Sequence, residues 1–211
     1  MSRRELKKRG RTYFRRLGFL GVSISIFAPI IGLHFFSISY DFPPQMFKLV
    51  SAQTGSTTFL TYQSPVYGIS IQYPSDWYKQ EDQVKQDGIS EVVSFYSPSK
   101  SAFIKVIHVN STKAMNATLS QLLTEATIRD IHIVKDFQII EASTSGTLAG
   151  RFAYILVSSG EIVNGVRYQT QEVGTLIGTT EYIILYEALE SDYSKYFPSA
   201  GRLIDSFKLL K

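Results

Sequence analysis

Apolar and polar residues alternate in several short segments of the chain, which is the period of a half-buried β-strand. Both faces of the last such segment are apolar, so we expect it to be a central strand that is covered on both sides. Asn164-Gly165 is a strong hairpin signal, and the short connections predict a mainly antiparallel sheet. The predicted strands cover residues 68–73, 91–96, 102–109, 137–143, 152–158, 166–176 and 182–188.

Two segments have the spacing of amphipathic helices. Thr118-Leu119-Ser120-Gln121 is a capping box, and the apolar stripe that follows is interrupted at Asp130, so this helix is expected to end near Arg129. A second helix is expected from Pro198, which suits a first helical turn, to about Phe207. Helices that are segregated from a run of strands predict an α+β fold. A sheet covered on both faces needs one helix on each, which gives an α-β-α sandwich.

The N-terminal part has a different pattern. Residues 1–16 carry eight Lys or Arg and one Glu, and residues 17–39 form an uncharged, largely apolar stretch. A helix of that length crosses a hydrocarbon core of about 30 Å. Because cationic flanks stay in the cytoplasm, we predict a basic cytoplasmic tail (1–16), a transmembrane signal-anchor (17–39), a linker (40–58) and a domain outside the cell membrane (59–211).

Two other interpretations of the apolar stretch stay open. It could belong to a cleaved signal peptide, with small residues for cleavage at Ser37-Ile38-Ser39 or Val50-Ser51-Ala52. It could also be a buried helix of a soluble protein. We favour the uncleaved, single-pass anchor because the stretch is longer than the apolar region of most signal peptides.

Charge and composition narrow the possible functions. The net charge is +4, but beyond residue 16 the chain holds 14 basic and 17 acidic residues. The basic character therefore belongs to the tail, and we expect no nucleic-acid partner. The chain has no cysteine, which excludes disulfides, thiol catalysis and cysteine metal sites.

Histidines and glycines provide no recognisable catalytic, metal or phosphate motif. Only His108 and His132 lie in the domain, and His132 stands near Asp130 and Asp136. Two histidines fall short of a usual zinc ligand set, so we predict no metal and no cofactor. Glycines such as Gly174 are interpreted as punctuation between strands and turns, because no phosphate-binding loop spacing is present.

Carboxylates on the predicted strands offer one weak enzymatic hypothesis. Glu172, Glu181 and Glu187 lie on neighbouring strands, as a glycosidase pair could. Solvent-facing carboxylates are far commoner on strands, so we expect these three to face water. We therefore predict no catalytic residue and no enzymatic activity.

Aromatic residues are concentrated at the start of the domain. We expect them mainly to pack in the core, with a binding face as the alternative. They are Tyr62, Tyr67, Tyr73, Trp77, Tyr78, Phe95 and Tyr96.

Two triplets in one predicted loop have the form of N-glycosylation acceptors. They begin at Asn110 and Asn116, and both lie on the side of the membrane that we predict to be outside.

Three segments resemble the PsbP family, named after the extrinsic subunit of the photosystem II oxygen-evolving complex. Residues 67–77 resemble its opening strand and Tyr-Pro-x-x-Trp turn, residues 148–154 a mid-domain strand entry, and residues 200–207 its closing helix. The resemblance implies an α-β-α sandwich around an antiparallel sheet, shared with Mog-type Ran-binding proteins. It also implies a non-enzymatic role in docking to, or stabilising, a membrane complex. Anchored domains of this kind are typical of prokaryotes, especially archaea.

The Tyr-Pro-x-x-Trp turn also has a physical interpretation. Pro74 ends its strand because it cannot donate a hydrogen bond to a ladder, and Asp76 can cap the turn. Trp77 then folds its large apolar surface back onto the sheet, so we expect these three residues to be structural.

The sequence thus favours a membrane-anchored, non-catalytic domain that docks to a protein partner at the membrane surface. Two alternatives stay open: a domain that binds a small ligand or a divalent cation, and an enzyme of unrecognised type.

Overall fold

The computed structural model describes residues 58–81, 85–86, 88–110, 117–163 and 165–210. The predicted tail, the predicted membrane segment, nearly all of the predicted linker and Asn116 lie outside these residues. Within the described ranges, no helix is both long and apolar enough to cross a membrane.

An eight-stranded antiparallel sheet forms the centre of the domain. Its order is β3-β5-β6-β10-β9-β8-β7, and β4 pairs with β5. The strands are β3 (Tyr78–Gln80), β4 (Lys85–Gln86), β5 (Ile89–Tyr96), β6 (Ala102–Asn110), β7 (Lys135–Leu148), β8 (Arg151–Val163), β9 (Val166–Ile177) and β10 (Thr180–Leu189). The last predicted strand is therefore central, between β6 and β9, as its two apolar faces indicate.

One face of this sheet is covered by a small sheet and a helix. The small sheet has the order β1-β2-β11, with β1 at Phe59–Ser64, β2 at Ile69–Pro74 and β11 at Lys208–Leu209. The helix, α2, spans Tyr193–Asp205. They enclose the main core, which includes Ile71, Trp77, Phe95, Ile104, Ile184, Tyr186, Leu203 and Phe207.

The opposite face carries helix α1, Leu119–Ile133, which packs on β7, β8 and β9. Leu122 and Ala126 of α1 bury against Tyr154 and Leu156 of β8. The predicted capping box is confirmed, because the Thr118 hydroxyl accepts from the Gln121 amide at 3.2 Å. In return, the Gln121 side chain accepts from the Thr118 amide at 2.8 Å. The two helices therefore lie on opposite faces of an antiparallel sheet.

Both predicted helix boundaries were wrong at one end. Helix α1 continues past Arg129 to Ile133, because Asp130 lies beside the Arg129 guanidinium, with 3.5 Å between Oδ1 and Nε. Helix α2 begins at Tyr193 rather than at Pro198, which lies inside it. A proline there removes one amide donor, and the apolar face from Tyr193 to Ile204 still packs on the core.

Candidate functional site

Three aromatic side chains form a row on the face of the sheet that also carries α1. Tyr78, Tyr96 and Phe103 lie opposite one another on β3, β5 and β6, so they share one face. The ring centroids are 6.4 Å apart between Tyr78 and Tyr96, and 5.9 Å apart between Tyr96 and Phe103. Tyr78 is 63% exposed, and the other two rings are half-buried. We call this row the aromatic ladder.

The aromatic residues of the first third of the domain lie on two different faces of the sheet. Core packing is confirmed for Tyr62, Trp77 and Phe95, which are buried in the main core. Tyr78 and Tyr96 point to the other face, because side chains alternate along a strand. They therefore have the large area and polar tip that suit a contact surface.

An ion pair between buried Lys105 and half-buried Glu91 borders the ladder. The Lys105 ammonium lies 5.6 Å from the centroid of the Phe103 ring and 3.1 Å from the Glu91 carboxylate. Glu187 of β10 lies directly opposite Phe103 on the neighbouring strand β6. This surface therefore combines a charge pair with aromatic rings, and aromatic rings are enriched at protein-binding faces.

A second polar group lies on the same face, where α1 meets the sheet. The Tyr154 hydroxyl is 2.6 Å from a Glu172 oxygen and 3.1 Å from a Glu181 oxygen. The Arg129 guanidinium donates to Glu172 from α1, and Asp130 lies beside it. We call these five residues, Tyr154, Glu172, Glu181, Arg129 and Asp130, the Tyr154 cluster.

Two glycines inside strands make room for the cluster and for the helix. A Cβ on Gly174 would lie 2.3 Å from the Tyr154 ring. A Cβ on Gly160 would lie 2.2 Å from a methyl group of Val134, which ends α1. The interpretation of Gly174 as punctuation was therefore wrong, since its lack of a side chain allows Tyr154 to lie flat across β9.

Burial controls the electrostatics of the cluster. It raises the pKa of Glu181 to about 7, with a further increase from the Glu172 charge. It also raises the pKa of Asp130 to about 6, against the opposing effect of Arg129. The pKa of the Tyr154 hydroxyl is raised well above its usual value for the same reason, so Tyr154 keeps its proton.

The expectation that the three strand carboxylates face water was wrong for two of them. Glu172 is 4% exposed and Glu187 is 7% exposed. Glu172 is compensated by Arg129 and Tyr154, and burial raises the pKa of Glu187 to about 7. The Tyr154 hydroxyl bonds both Glu172 and Glu181, so the space between these carboxylates is filled by a phenol. This geometry does not favour the glycosidase hypothesis.

The structure does not bring the two histidines together. His108 lies between the rings of Tyr67 and Tyr182, at 5.2 and 5.3 Å, on the face opposite α1. Burial lowers its pKa. His132 is exposed near the end of α1. Within the described residues, no group of three or more histidines and carboxylates could hold a metal ion.

The remaining predicted sites lie near the surface or in the opening turn. Asn110 is exposed at the end of β6, and its amide donates to the Gly88 carbonyl at 2.8 Å. Pro74 is buried at the end of β2, and Asp76 is exposed in the turn that follows. The Trp77 amide donates to the Pro74 carbonyl at 3.0 Å, and its ring packs edge-on against Tyr196.

Comparison with known families identifies the domain. A family model described as PsbP-like protein matches residues 44–209, which is most of the chain. The chain belongs to this PsbP-like family. No curated protein matches it.

The solved structures that this chain matches include three proteins from different organisms. Cyanobacterial PsbP (CyanoP) from Synechocystis sp. PCC 6803 is 14% identical with a TM-score of 0.56, over 75% of this chain and 96% of that one. LpqN of Mycobacterium tuberculosis, involved in cell envelope biogenesis, is 14% identical with a TM-score of 0.48, over 68% and 83%. The Ran-binding protein Mog1p of Saccharomyces cerevisiae is 7% identical with a TM-score of 0.48, over 74% and 97%. At these identities the likeness to CyanoP shows a common fold and nothing more.

Proposed function

We propose that this PsbP-like protein is a single-pass membrane protein whose domain lies outside the cytoplasm and docks, without catalysis, to a protein partner at the membrane surface. The observation that carries the docking part is the aromatic ladder. It presents Tyr78, Tyr96 and Phe103 as a continuous row on one face of the sheet.

The ladder has the physical properties of a contact surface. Tyr78 is mostly exposed, although it is a large ring that a folded domain could have buried. Aromatic side chains have only two rotatable torsions, so little conformational entropy is lost when a partner covers them. Tyrosine is also among the residues that contribute most to binding energy at interfaces.

The anchoring part rests on the sequence alone. The uncharged stretch of residues 17–39 follows eight basic residues, and this order favours a cytoplasmic N-terminus. The same arrangement supports a location of the domain at the outer surface of the cell membrane, close to membrane-bound partners.

The membrane orientation can be tested with single cysteines, because the natural chain has none. We expect Val66→Cys, at a position that is 82% exposed, to react in intact cells with a maleimide that does not cross membranes. Ser2→Cys should react only after lysis. The reverse labelling pattern, or labelling of neither site before lysis, contradicts the proposed orientation.

The docking face can be tested by photo-crosslinking in native membranes. We expect a benzoylphenylalanine at position 78 or 96 to give the same adduct of defined mass. At position 66, an exposed site outside the ladder, it should not. Equal adducts from all three positions, or none from the ladder, contradict docking through this face.

A further inference from the structure

The Tyr154 hydroxyl has one proton and two carboxylate neighbours. It lies 2.6 Å from Glu172 and 3.1 Å from Glu181. A phenol donates one hydrogen bond at a time, and the shorter distance assigns this bond to Glu172. The Tyr154 oxygen can then only accept from Glu181, and a carboxyl group donates only when it is protonated.

The surroundings of this pair favour a neutral Glu181, because burial and the Glu172 charge outweigh the opposing effects of Arg129 and the Tyr154 hydrogen bond. Arg129 is the cation that acts on Glu181, and its guanidinium already bonds Glu172 and lies beside Asp130. Glu172 and Glu125 both act on Glu181 with the same sign of charge. An ionised Glu181 would therefore place its oxygen against the Tyr154 oxygen and near the Glu172 carboxylate, whose charge already engages Arg129.

Further titratable groups lie on the same face. Glu187 of β10 is acted on by Lys105 of β6 and by Asp130 of α1, and Lys105 is paired with Glu91 of β5. Lys105 therefore interacts with Glu91 and Glu187. The extra proton is needed in the hydrogen bond between Glu181 and Tyr154.

We propose that Glu181 is a neutral carboxylic acid in the folded domain near neutral pH, that it donates its proton to the Tyr154 oxygen, and that loss of this proton loosens α1 from the sheet. The step is a simple dissociation, in which the proton passes to water and Glu181 becomes a carboxylate. The position of the Tyr154 cluster, between α1 and the sheet, explains why loss of the proton loosens α1. Arg129 and Asp130 belong to α1, whereas Tyr154, Glu172 and Glu181 belong to the sheet.

The sign of the pH dependence follows from the direction of the shift. Burial raises the pKa of Glu181 to about 7 in the folded domain, and an exposed glutamic acid has a pKa of about 4.3. The packing of α1 on the sheet is therefore fully stabilised at a pH below the pKa of an exposed glutamic acid. This stabilisation is lost as the pH rises to about 7. Alkaline conditions around the domain would loosen α1 from the sheet, and acidic conditions would hold it in place.

The test is hydrogen exchange of α1 in the purified full-length chain, measured by mass spectrometry and corrected for the intrinsic pH dependence of exchange. In the wild type, we expect the opening constant of peptides from residues 119–133 to rise roughly tenfold between pH 6 and pH 8. Glu181→Gln, which mimics the neutral acid, should remove most of this rise. Asp205→Asn, which removes an exposed carboxylate at the end of α2 on the other side of the sheet, should keep it.

A direct measurement of protonation keeps the proposal testable if Glu181→Gln folds poorly. The sample is Glu187→Gln with ¹³C-labelled glutamate, because Glu187 is the other glutamate whose pKa is raised to about 7. At pH 6 its infrared spectrum should contain the band of a protonated carboxyl group, and most of this band should disappear at pH 8. Absence of the band at pH 6, or the same rise in α1 exchange in Glu181→Gln as in the wild type, overturns the proposal. Neither result concerns the aromatic ladder, so docking is tested separately.

Discussion

Replacement of Gly174 by alanine tests the packing that places the Tyr154 hydroxyl between its two carboxylates. The new Cβ would lie 2.3 Å from Cε1 and 2.6 Å from the hydroxyl oxygen of Tyr154. Carbon atoms in good contact are about 3.5–4.0 Å apart, so the ring has to move by more than an ångström. Tyr154 is 1% exposed and has no free space to enter.

The cost has two parts. Overpacking in a dense core costs roughly 1–3 kcal/mol. Loss of the hydrogen bonds to Glu172 and Glu181 leaves buried polar groups unpaired, at about 1–3 kcal/mol. We therefore expect Gly174→Ala to lower the free energy of unfolding by about 2–6 kcal/mol, the sum of these two parts.

A double-mutant cycle separates this collision from a general effect of alanine in a strand. In a Tyr154→Val background the colliding ring is absent, so Gly174→Ala should cost less than about 1 kcal/mol. Urea unfolding followed by fluorescence measures both backgrounds, because Trp77 is the single tryptophan and is buried in the core. An equal cost in the two backgrounds would refute this account of Gly174.

Gly201→Ala is the matched control. Gly201 lies in α2, and its Cβ would meet nothing within 4 Å, so the substitution should stabilise the chain by about 0.5–1 kcal/mol.

Two further predictions concern the core and the pH dependence of the whole domain. Trp77→Ala should cost about 3–5 kcal/mol in urea unfolding followed by circular dichroism, and a cost below 1 kcal/mol would contradict the structural role of the turn. The pKa values of Asp130, Glu181 and Glu187 are all raised by burial, to about 6, 7 and 7. Folding therefore retains protons that the unfolded chain loses above about pH 4. The two glutamates contribute about 2.6 kcal/mol each and Asp130 about 1.4 kcal/mol, so stability should fall by roughly 6 kcal/mol between pH 5 and pH 8. Thermal melts across this range check the sign, and a melting temperature that rises with pH contradicts it.

Local signals in the sequence predicted much of the fold. The capping box at Thr118 and Gln121 requires only four adjacent residues, and the structure confirms it. Asn164-Gly165 predicted the turn between β8 and β9, where Gly165 has a φ of 80°. Both signals depend on backbone conformation close to the residue itself, which a sequence displays directly.

The Tyr154 cluster could not be predicted because its parts are distant in sequence. Asp130 interrupts an apolar stripe, and Glu172 occupies a strand position that most carboxylates would expose to water. Their burial depends on Arg129, which is 43 residues from Glu172, and on the missing side chain of Gly174. A glycine in the middle of a predicted strand is the signal in the sequence that indicates a close contact there.

The most direct test of the proposed docking function is the effect of Tyr78→Ala on the native membrane complex. The ring is 63% exposed, so its removal should leave the melting temperature unchanged within about 2 °C. On native gels of mild-detergent extracts, we expect the wild type and the control Val66→Ala to migrate in one complex larger than the chain itself. Tyr78→Ala should migrate as the free chain. A complex that forms equally well in all three proteins would contradict docking through the aromatic ladder.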